Sequence, residues 1–114
     1  MPVTRADFEC PCCAANHINN AVVSLVQTIE TQLGSAVNVN SGYRCAAHNR
    51  TVGGAPNSQH LRGNAADITS RDAARRNALF NICLRMWNNN QIGGLGIYNT
   101  FRHVDTGRHR TWRG

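Results

Sequence analysis

An apolar stripe of helical period, followed at once by a strand pattern, most constrains the fold of this chain. From Ile18 to Leu33 the apolar residues recur at steps of three and four, the period of a helix with one buried face. Gly34 follows at the position favoured for ending a helix. Residues 36–40 then alternate between apolar and polar side chains, as a half-buried strand does. The sequence therefore predicts a helix that leads directly into a strand.

A second helix and four further strands complete the predicted elements. The helix starts after Ser70, has Asp72 in its first turn and ends within residues 88–94. Its apolar face consists of Ala74, Ala78, Leu79, Ile82, Cys83 and Met86. The strand candidates are residues 65–69, 94–98, 102–106 and 110–112. Because helices flank and interrupt these strands without a sustained βαβ alternation, we expect an α+β fold with a small, mostly antiparallel sheet flanked by helices. The glycines of residues 42–63 predict loop there.

Length and charge limit the classes of protein to which this chain can belong. Its 114 residues predict a single domain, residues 1–114, which we expect to be a monomer. All 12 basic residues are arginines and only 6 residues are acidic, so the net charge of +6 suggests a polyanionic partner such as nucleic acid, anionic lipid or a bacterial wall polymer. The apolar runs are too short for a membrane span, and no signal peptide is visible at the amino terminus. A nucleic-acid-binding function has only the arginine excess in its favour, since no recognisable motif accompanies it.

Two segments carry candidate metal ligands. Catalytic zinc sites commonly take three protein donors and leave one position open for water. His60, Asp67 and His103 offer such a set. On one continuous helix His60 and Asp67 would lie about 10 Å apart, too far to share one ion. The segment 60–67, here called the ligand arm, must therefore bend, and Gly63 allows that bend. In an extended strand His103 and Asp105 point to the same face, which places a carboxylate beside the third ligand. A small protein with several histidines can produce this spacing by accident, so spacing alone leaves the metal site open.

A series of motifs in this chain resembles the M15 peptidase family, which includes zinc D-Ala-D-Ala carboxypeptidases and peptidoglycan endopeptidases. The motifs are Ser41-Gly42-Tyr43-Arg44-Cys45, His48-Asn49, Val52-Gly53-Gly54-Ala55, Ser58-x-His60-x-x-Gly63-x-Ala65-x-Asp67 and His103-x-Asp105. They follow one another in the order typical of compact, M15A-like members and cover nearly the whole chain. The resemblance implies the fold shared by these peptidases and the hedgehog signalling domain.

The resemblance also implies the site residues. It assigns one zinc ion to His60, Asp67 and His103, and substrate binding to Arg44, whose planar guanidinium suits a carboxylate or the carbonyl under attack. The zinc ion would activate water for attack on the scissile amide. Ser58 is expected either to support the site by hydrogen bonding or merely to fix the turn before His60. Tyr98 precedes the last ligand segment, where its hydroxyl could meet the substrate or its ring could pack in the core.

One position departs from the family pattern. Many members carry Glu or Asp three residues before the last zinc histidine as the general base, whereas this chain has Thr100. Asp105 is the nearest remaining carboxylate, and we expect it either to take a proton from the attacking water or to orient His103 as a hydrogen-bond acceptor. His48 and His109 are weaker alternative proton carriers.

The five cysteines leave at least one thiol unpaired in a monomer. Cys83 lies on the apolar face of the second helix and is expected to be a small buried residue. Cys10, Cys12 and Cys13, with His17 just downstream, could bind a second, structural metal, or one of the three cysteines could pair with Cys45. Their spacing matches no standard zinc motif, and disulfide geometry disfavours a bond between the adjacent Cys12 and Cys13.

Together these observations predict a zinc metallopeptidase that hydrolyses a peptide bond in peptidoglycan stem peptides or cross-links, next to a D-amino acid. The expected partner is the peptidoglycan peptide, with no specific nucleic acid and no membrane insertion. The expected place of action is the bacterial wall, in the periplasm or outside the cell, with phage delivery as one route. Thr100 favours a rival hypothesis, a zinc-containing wall-binding module of the same fold with little or no turnover. The sequence leaves open whether a peptidase would act as carboxypeptidase or endopeptidase.

Overall fold

The structure is a computed structural model that describes residues 2–114. Helices α1 (Asn20–Leu33), α2 (Ala46–Thr51) and α3 (Arg76–Asn88) accompany strands β1 (Val37–Ser41), β2 (Ala65–Ser70), β3 (Gly94–Ile97), β4 (Arg102–Asp105) and β5 (Arg110–Arg113). Three short 3₁₀ helices add Arg5–Phe8, Gln59–Arg62 and Ala73–Arg75. This arrangement confirms the predicted α+β class.

Within residues 2–114 the five strands form one mixed sheet in the order β1-β2-β4-β3-β5. The pairs β1–β2, β2–β4 and β3–β4 are antiparallel, while β3 and β5 are parallel. The sheet is therefore mostly antiparallel, as predicted. Asp67 on β2 and Gly96 on β3 are both register partners of His103 on β4, which places His103 at the centre of the sheet.

The hydrophobic core lies on one face of this sheet. Helices α1 and α3 pack against each other, and α3 packs on β2, β3 and β4. Ile68 on β2, Leu95 on β3 and Val104 on β4 point into this core. Because side chains alternate along a strand, the neighbours Asp67 and His103 project from the opposite face. The sheet thus separates an apolar, helix-covered side from a polar side.

The predicted helix over residues 18–33 is confirmed with a start at Asn20. The Asn19 side chain accepts a hydrogen bond from the Ala21 amide and caps the helix, and Gly34 ends it with φ of 69°. The buried positions of α1 follow the predicted stripe, since Val22, Val26 and Ile29 are wholly buried. Among residues 2–114, none of the helices combines the length and apolar character that a bilayer span requires.

Two sequence predictions are wrong in detail. The stretch 42–63, predicted as loop, contains α2 and the 3₁₀ helix Gln59–Arg62. Helix α2 has no apolar stripe to reveal it, and its cap is the Cys45 sulfur, which accepts a hydrogen bond from the His48 amide at 3.4 Å. The second helix begins only at Arg76, because Asp72 caps the separate 3₁₀ turn before it.

The amino-terminal segment packs against the chain that follows β1. Phe8 is fully buried, and its carbonyl accepts a hydrogen bond from the Tyr43 amide at 2.8 Å. A side chain at Gly42 would place its Cβ 2.6 Å from the Phe8 Cα, so only glycine fits this close approach. Residues 42–45 are therefore held between the amino-terminal segment and the sheet.

Candidate metal centre

His60, Asp67 and His103 converge on the polar side of the sheet. One donor atom from each, two imidazole nitrogens and a carboxylate oxygen, lies within 4.8 Å of the other two. Asp67 and His103 are opposite one another on adjacent strands, and His60 comes from the 3₁₀ turn before β2. The three residues are only 2%, 8% and 8% exposed, so the donors lie in a largely dehydrated setting.

The turn that carries His60 is built by two neighbouring residues. The Ser58 hydroxyl accepts a hydrogen bond from the His60 amide at 3.2 Å and caps the 3₁₀ helix. Gly63 ends that helix with φ of 70°, and a side chain there would collide with the His17 carbonyl. The ligand arm is thus bent at Gly63, as the spacing of His60 and Asp67 predicts.

His60 is oriented by a backbone carbonyl. Its Nδ1 lies 2.7 Å from the Gly42 oxygen. Because a carbonyl oxygen can only accept, Nδ1 carries the proton and donates it to Gly42. The lone pair of Nε2 then faces Asp67 Oδ1, which lies 3.2 Å away. This tautomer is the one that a metal ligand requires.

His103 is held from behind by Asp105. Its Nε2 lies 2.7 Å from Asp105 Oδ2, and its Nδ1 lies 3.1 Å from Asp67 Oδ1. When Nε2 donates to Asp105, the lone pair of Nδ1 faces the same space as Nε2 of His60. In each imidazole, one nitrogen therefore faces the cluster and the other donates a hydrogen bond to an acceptor outside it.

The Asp105 carboxylate is fully buried and receives every hydrogen bond it can accept. Arg110 binds both oxygens, with Nη1 3.0 Å from Oδ1 and Nη2 2.8 Å from Oδ2. The amides of Gly94 and Gly107 donate to Oδ1 at 2.8 and 2.9 Å. Burial opposes ionisation of this carboxyl, but the hydrogen bonds from His103, Arg110 and the Gly107 amide outweigh it and hold the pKa of Asp105 below its usual range.

The electrostatics of the cluster favour a cation. Burial raises the pKa of Asp67, yet hydrogen bonds with His103 and His60 outweigh it and lower the pKa below its usual range. Burial likewise opposes the charged form of His103, but the carboxylates of Asp105 and Asp67 on its two sides raise its pKa. The polar space among these groups thus stabilises positive charge, whether a proton or a metal ion supplies it.

Arg44 lies beside the cluster and is fixed by three side chains. Its Nη2 donates to Asp67 Oδ2 at 3.4 Å, its Nη1 to Asn49 Oδ1 at 3.1 Å and its Nε to Ser41 Oγ at 3.2 Å. The side chain is 13% exposed, so part of the guanidinium still faces the cleft. A planar cation is thus held in place next to the donors.

A cleft of about 740 Å³ opens in front of the donors. Its walls include Arg44, Ser58, Tyr98, Phe101, Arg110 and Trp112. Tyr98 stacks on Phe101 with ring centroids 4.5 Å apart, and its hydroxyl accepts a hydrogen bond from Trp112 Nε1 at 3.1 Å. The Tyr98 ring is therefore packed, while the residue also lines the cleft.

Other residues considered from the sequence lie outside this cleft. Thr100 is exposed, and its carbonyl accepts a hydrogen bond from Thr69. His109 stacks on Trp87 with ring centroids 4.3 Å apart, and neither His48 nor Asp105 lines the cleft. Of the cleft-lining residues in the range 2–114, Asp67 is the sole carboxylate.

Sequence reasoning missed several partners of the site. Gly42 acts through a backbone carbonyl, which no side-chain pattern reveals. Arg110 and Trp112 belong to β5, whose parallel pairing with β3 brings them to the cleft. Their charge and aromatic character are visible in the sequence, but that pairing is not.

The cysteines divide into a cluster of four and a single buried residue. The sulfur atoms of Cys10, Cys12, Cys13 and Cys45 all lie within 4.8 Å of one another. The fourth member of this cluster is therefore Cys45, whereas the His17 ring lies edge-on against Tyr43. Cys83 is fully buried in the core, where burial raises the pKa of its thiol to about 12. The predicted role of Cys83 as a small buried residue is confirmed.

The donor set of the His60 cluster fits zinc. Two neutral imidazoles and one carboxylate are a usual protein set for a catalytic zinc ion, and each imidazole here has its second nitrogen hydrogen-bonded. The sequence model of a family described as Peptidase M15 matches residues 2–105, a range that contains all three donors, Arg44 and Asp105. No curated protein matches the chain.

Proposed function

The chain belongs to the peptidase M15 family, and on that premise we propose that it is a zinc-dependent metallopeptidase that hydrolyses a peptide bond in bacterial peptidoglycan. The proposed substrate is a stem peptide or cross-link with a D-amino acid at the cleaved bond. The observation that carries the proposal is the convergence of His60, Asp67 and His103, each largely buried, on the wall of an open cleft.

In this proposal the three donors hold one zinc ion. Bound there, zinc supplies Lewis-acid activation of water and of the scissile carbonyl. Gly42 and Asp105 keep the two imidazoles in the tautomer and orientation that ligation needs, through contacts of 2.7 Å each. The site is therefore preorganised by the protein before any ion binds.

Arg44 is the residue proposed to bind substrate. Its guanidinium is pinned by Asp67, Asn49 and Ser41 and retains an edge towards the cleft. A planar cation held there can donate paired hydrogen bonds to a peptide carboxylate or to the oxygen on which charge develops during attack. We assign Tyr98 a contact with the substrate backbone, because the residue lines the same cleft as His103.

Asp105 is proposed as a positioning residue. Its carboxylate is fully buried, is saturated by Arg110, His103 and two backbone amides, and does not line the cleft. It therefore acts on the reaction through His103. Ser58 is likewise assigned to holding the His60 turn, through its hydrogen bond to the His60 amide.

The net charge supports a wall substrate. A chain of net charge +6 with arginines as its only basic residues is attracted to the anionic polymers of the bacterial wall. We propose that the protein acts there, in the periplasm or outside the cell, as a monomer. A phage lysis system is one route of delivery.

Digestion of purified sacculi tests this proposal. The zinc-loaded protein should release new peptides or amino acids, which chromatography and mass spectrometry identify. Free D-alanine without loss of cross-links indicates carboxypeptidase action, whereas conversion of cross-linked dimers to monomers indicates endopeptidase action. His60→Ala should be silent, while His109→Ala, which removes an exposed histidine outside the cleft, should retain activity.

A second candidate function is a wall-binding module with weak or no turnover. It is favoured by the fact that, within the described part of the chain, Asp67 is the sole carboxylate on the cleft walls. A general base of the usual kind has no other candidate there. Zinc-dependent binding to sacculi without any released product would establish this function over the peptidase.

A further inference from the structure

We propose that Cys10, Cys12, Cys13 and Cys45 form a second metal site, which binds one structural zinc ion through four thiolates. This site is separate from the His60 cluster and goes beyond the proposed function. Its role is to fix the amino-terminal segment to the loop that carries Arg44.

The sulfur positions match a tetrahedral ion better than a disulfide. The Sγ atoms of Cys12 and Cys45 are 3.2 Å apart, those of Cys10 and Cys12 are 3.5 Å apart, and those of Cys10 and Cys45 are 3.7 Å apart. Zinc–sulfur bonds of 2.3 Å at tetrahedral angles separate the ligands by about 3.8 Å. A disulfide would join two of the sulfurs and leave two further thiols beside it with no partner. One ion uses all four.

The backbone of residues 10–15 is shaped to gather three sulfurs. The Ala14 amide donates to the Cys10 carbonyl at 2.8 Å, and the Cys10 amide donates to the Ala15 carbonyl at 2.8 Å. These two bonds close a tight loop around Cys12 and Cys13. Ala14 has φ of 58°, a left-handed conformation that is unfavourable for a residue with a Cβ. A metal bound to the three cysteines gives a reason for this conformation, because the loop must turn all three towards Cys45.

Cys45 connects the cluster to the candidate active site. Its sulfur accepts a hydrogen bond from the His48 amide at 3.4 Å, which fixes the position of the sulfur at the start of α2. The preceding residue is Arg44, whose amide donates to the His60 carbonyl at 3.2 Å. Gly42, three residues before Cys45, accepts the hydrogen bond from the His60 ring. An ion on Cys45 therefore restrains the same short loop that orients both His60 and Arg44.

The cluster also accounts for the odd number of cysteines. Four of the five converge, and the fifth, Cys83, is buried in the core away from them. Cys10 is buried, whereas Cys12 and Cys13 are exposed, so an ion can reach the cluster from solvent. Each thiol that binds gives up its proton to the buffer, and no oxidant is needed.

Cobalt(II) binding to a His60→Ala/His103→Ala variant tests this site apart from the catalytic proposal. That variant lacks two of the three donors of the His60 cluster and keeps all the cysteines. Under reducing conditions it should bind one equivalent of cobalt and show the strong near-ultraviolet sulfur-to-cobalt absorption of a tetrathiolate. Zinc should displace the cobalt and raise the midpoint of thermal unfolding. The outcome is independent of whether the native chain hydrolyses peptidoglycan.

Three cysteine variants in this background provide the matched comparison. Cys83→Ala should keep the cobalt absorption, because Cys83 lies outside the cluster. Cys12→Ser/Cys13→Ser should lose it. Cys12→His preserves a metal donor and should retain one equivalent of cobalt with weaker sulfur absorption, which separates ligation from simple packing.

Three results would overturn the proposal. The first is a folded His60→Ala/His103→Ala variant, checked by circular dichroism, that shows no sulfur-to-cobalt absorption. The second is equal absorption with and without Cys12 and Cys13. The third is a mass two hydrogens lower in protein purified without reductant, with a peptide map that joins Cys45 to one of the other three.

Discussion

The two clusters of candidate metal ligands are built in opposite ways. His60, Asp67 and His103 come from separate elements, are buried, and have the far side of each imidazole fixed by Gly42 or Asp105. In the cysteine cluster, three sulfurs come from residues 10–13, and two of these cysteines are exposed. The first cluster is held by the protein whether or not an ion is bound. In the second, two backbone hydrogen bonds close the loop, and the ion that we propose would join that loop to Cys45. The first cluster is thus suited to chemistry and the second to stability.

His60→Ala tests the first half of this comparison with the largest expected effect. Loss of one of three donors removes the proposed ion, which supplies several kcal/mol of transition-state stabilisation, so hydrolysis of peptidoglycan should fall by about 1,000-fold or more. The protein should remain folded, because His60 lies on a short 3₁₀ turn and is not part of the hydrophobic core, and circular dichroism checks this. A His60→Ala protein that digests sacculi at the native rate would remove His60 from the active site.

Arg44→Ala should lower kcat/KM for a peptidoglycan peptide by about 100-fold, as the loss of one fixed donor to a developing charge does in other hydrolases. Zinc content should stay the same, because Arg44 contacts Asp67 Oδ2 while the imidazoles face Oδ1. Arg44→Lys should recover only part of the loss, since lysine cannot donate in a planar pair. Full recovery with lysine would reduce the role of Arg44 to charge alone.

Asp105→Asn should weaken zinc binding by about 10- to 100-fold, the usual effect of removing the hydrogen-bond acceptor behind a ligating histidine. It should also destabilise the fold at neutral pH. The folded pKa of Asp105 lies below its unfolded value of 3.8, so its ionised form stabilises the fold above about pH 4. The difference in unfolding free energy between Asp105→Asn and the native chain should therefore narrow as pH falls below 4. If this difference in unfolding free energy stayed constant down to pH 2, the result would contradict the ion pair between Asp105 and Arg110.

Cys12→Ser tests the second half of the comparison, and here the main effect should be on thermal stability and not on hydrolysis. The unfolding midpoint of the zinc-loaded protein should fall by about 4 °C or more, which corresponds to about 1 kcal/mol. Well below that midpoint, hydrolysis per folded molecule should fall far less than in His60→Ala, because hydrogen bonds of the Tyr43 and Arg44 amides also hold the loop. If Cys12→Ser abolished hydrolysis and left the midpoint unchanged, the assignment of chemistry to one cluster and stability to the other would be reversed.

Raising the salt concentration should have the smallest effect of these changes, and the effect should be on binding to sacculi. Raising ionic strength from about 0.01 M to 0.15 M shortens the range of electrostatic attraction from about 30 Å to about 8 Å, so binding of this +6 chain to sacculi should weaken. Zinc content and thermal stability should change little, because both clusters depend on short contacts. Binding insensitive to salt would mean that the diffuse charge has no part in wall attachment.

The sequence predicts the helices and central strands that bury an apolar face, whereas it does not predict helix α2. Helix α1 and the strands around Asp67 and His103 follow from side-chain periodicity, because core burial dictates it. Helix α2 has no such stripe, and its cap is a cysteine sulfur in place of the usual hydroxyl or carboxylate. Local patterns therefore do not reveal it.

The candidate ligands can be predicted from the sequence, but the groups that hold them in place cannot. Residue type and spacing make His60, Asp67 and His103 candidates, and the resemblance to the M15 family selects them. The Gly42 carbonyl and Arg110 reach them only through tertiary packing, the latter because β5 pairs in parallel with β3. The convergence of residues 10–13 with Cys45 likewise depends on the contact of Phe8 with Gly42 and Tyr43.

The central claim is metal-dependent hydrolysis at the His60 cluster, and one paired measurement tests it most directly. The native chain and His60→Ala are each depleted of metal, reloaded with zinc, analysed for zinc content and incubated with purified sacculi. The native chain should bind one more equivalent of zinc than His60→Ala and should alone release muropeptide products. A fully zinc-loaded native chain that releases no product, or a His60→Ala protein that releases as much, would contradict the claim.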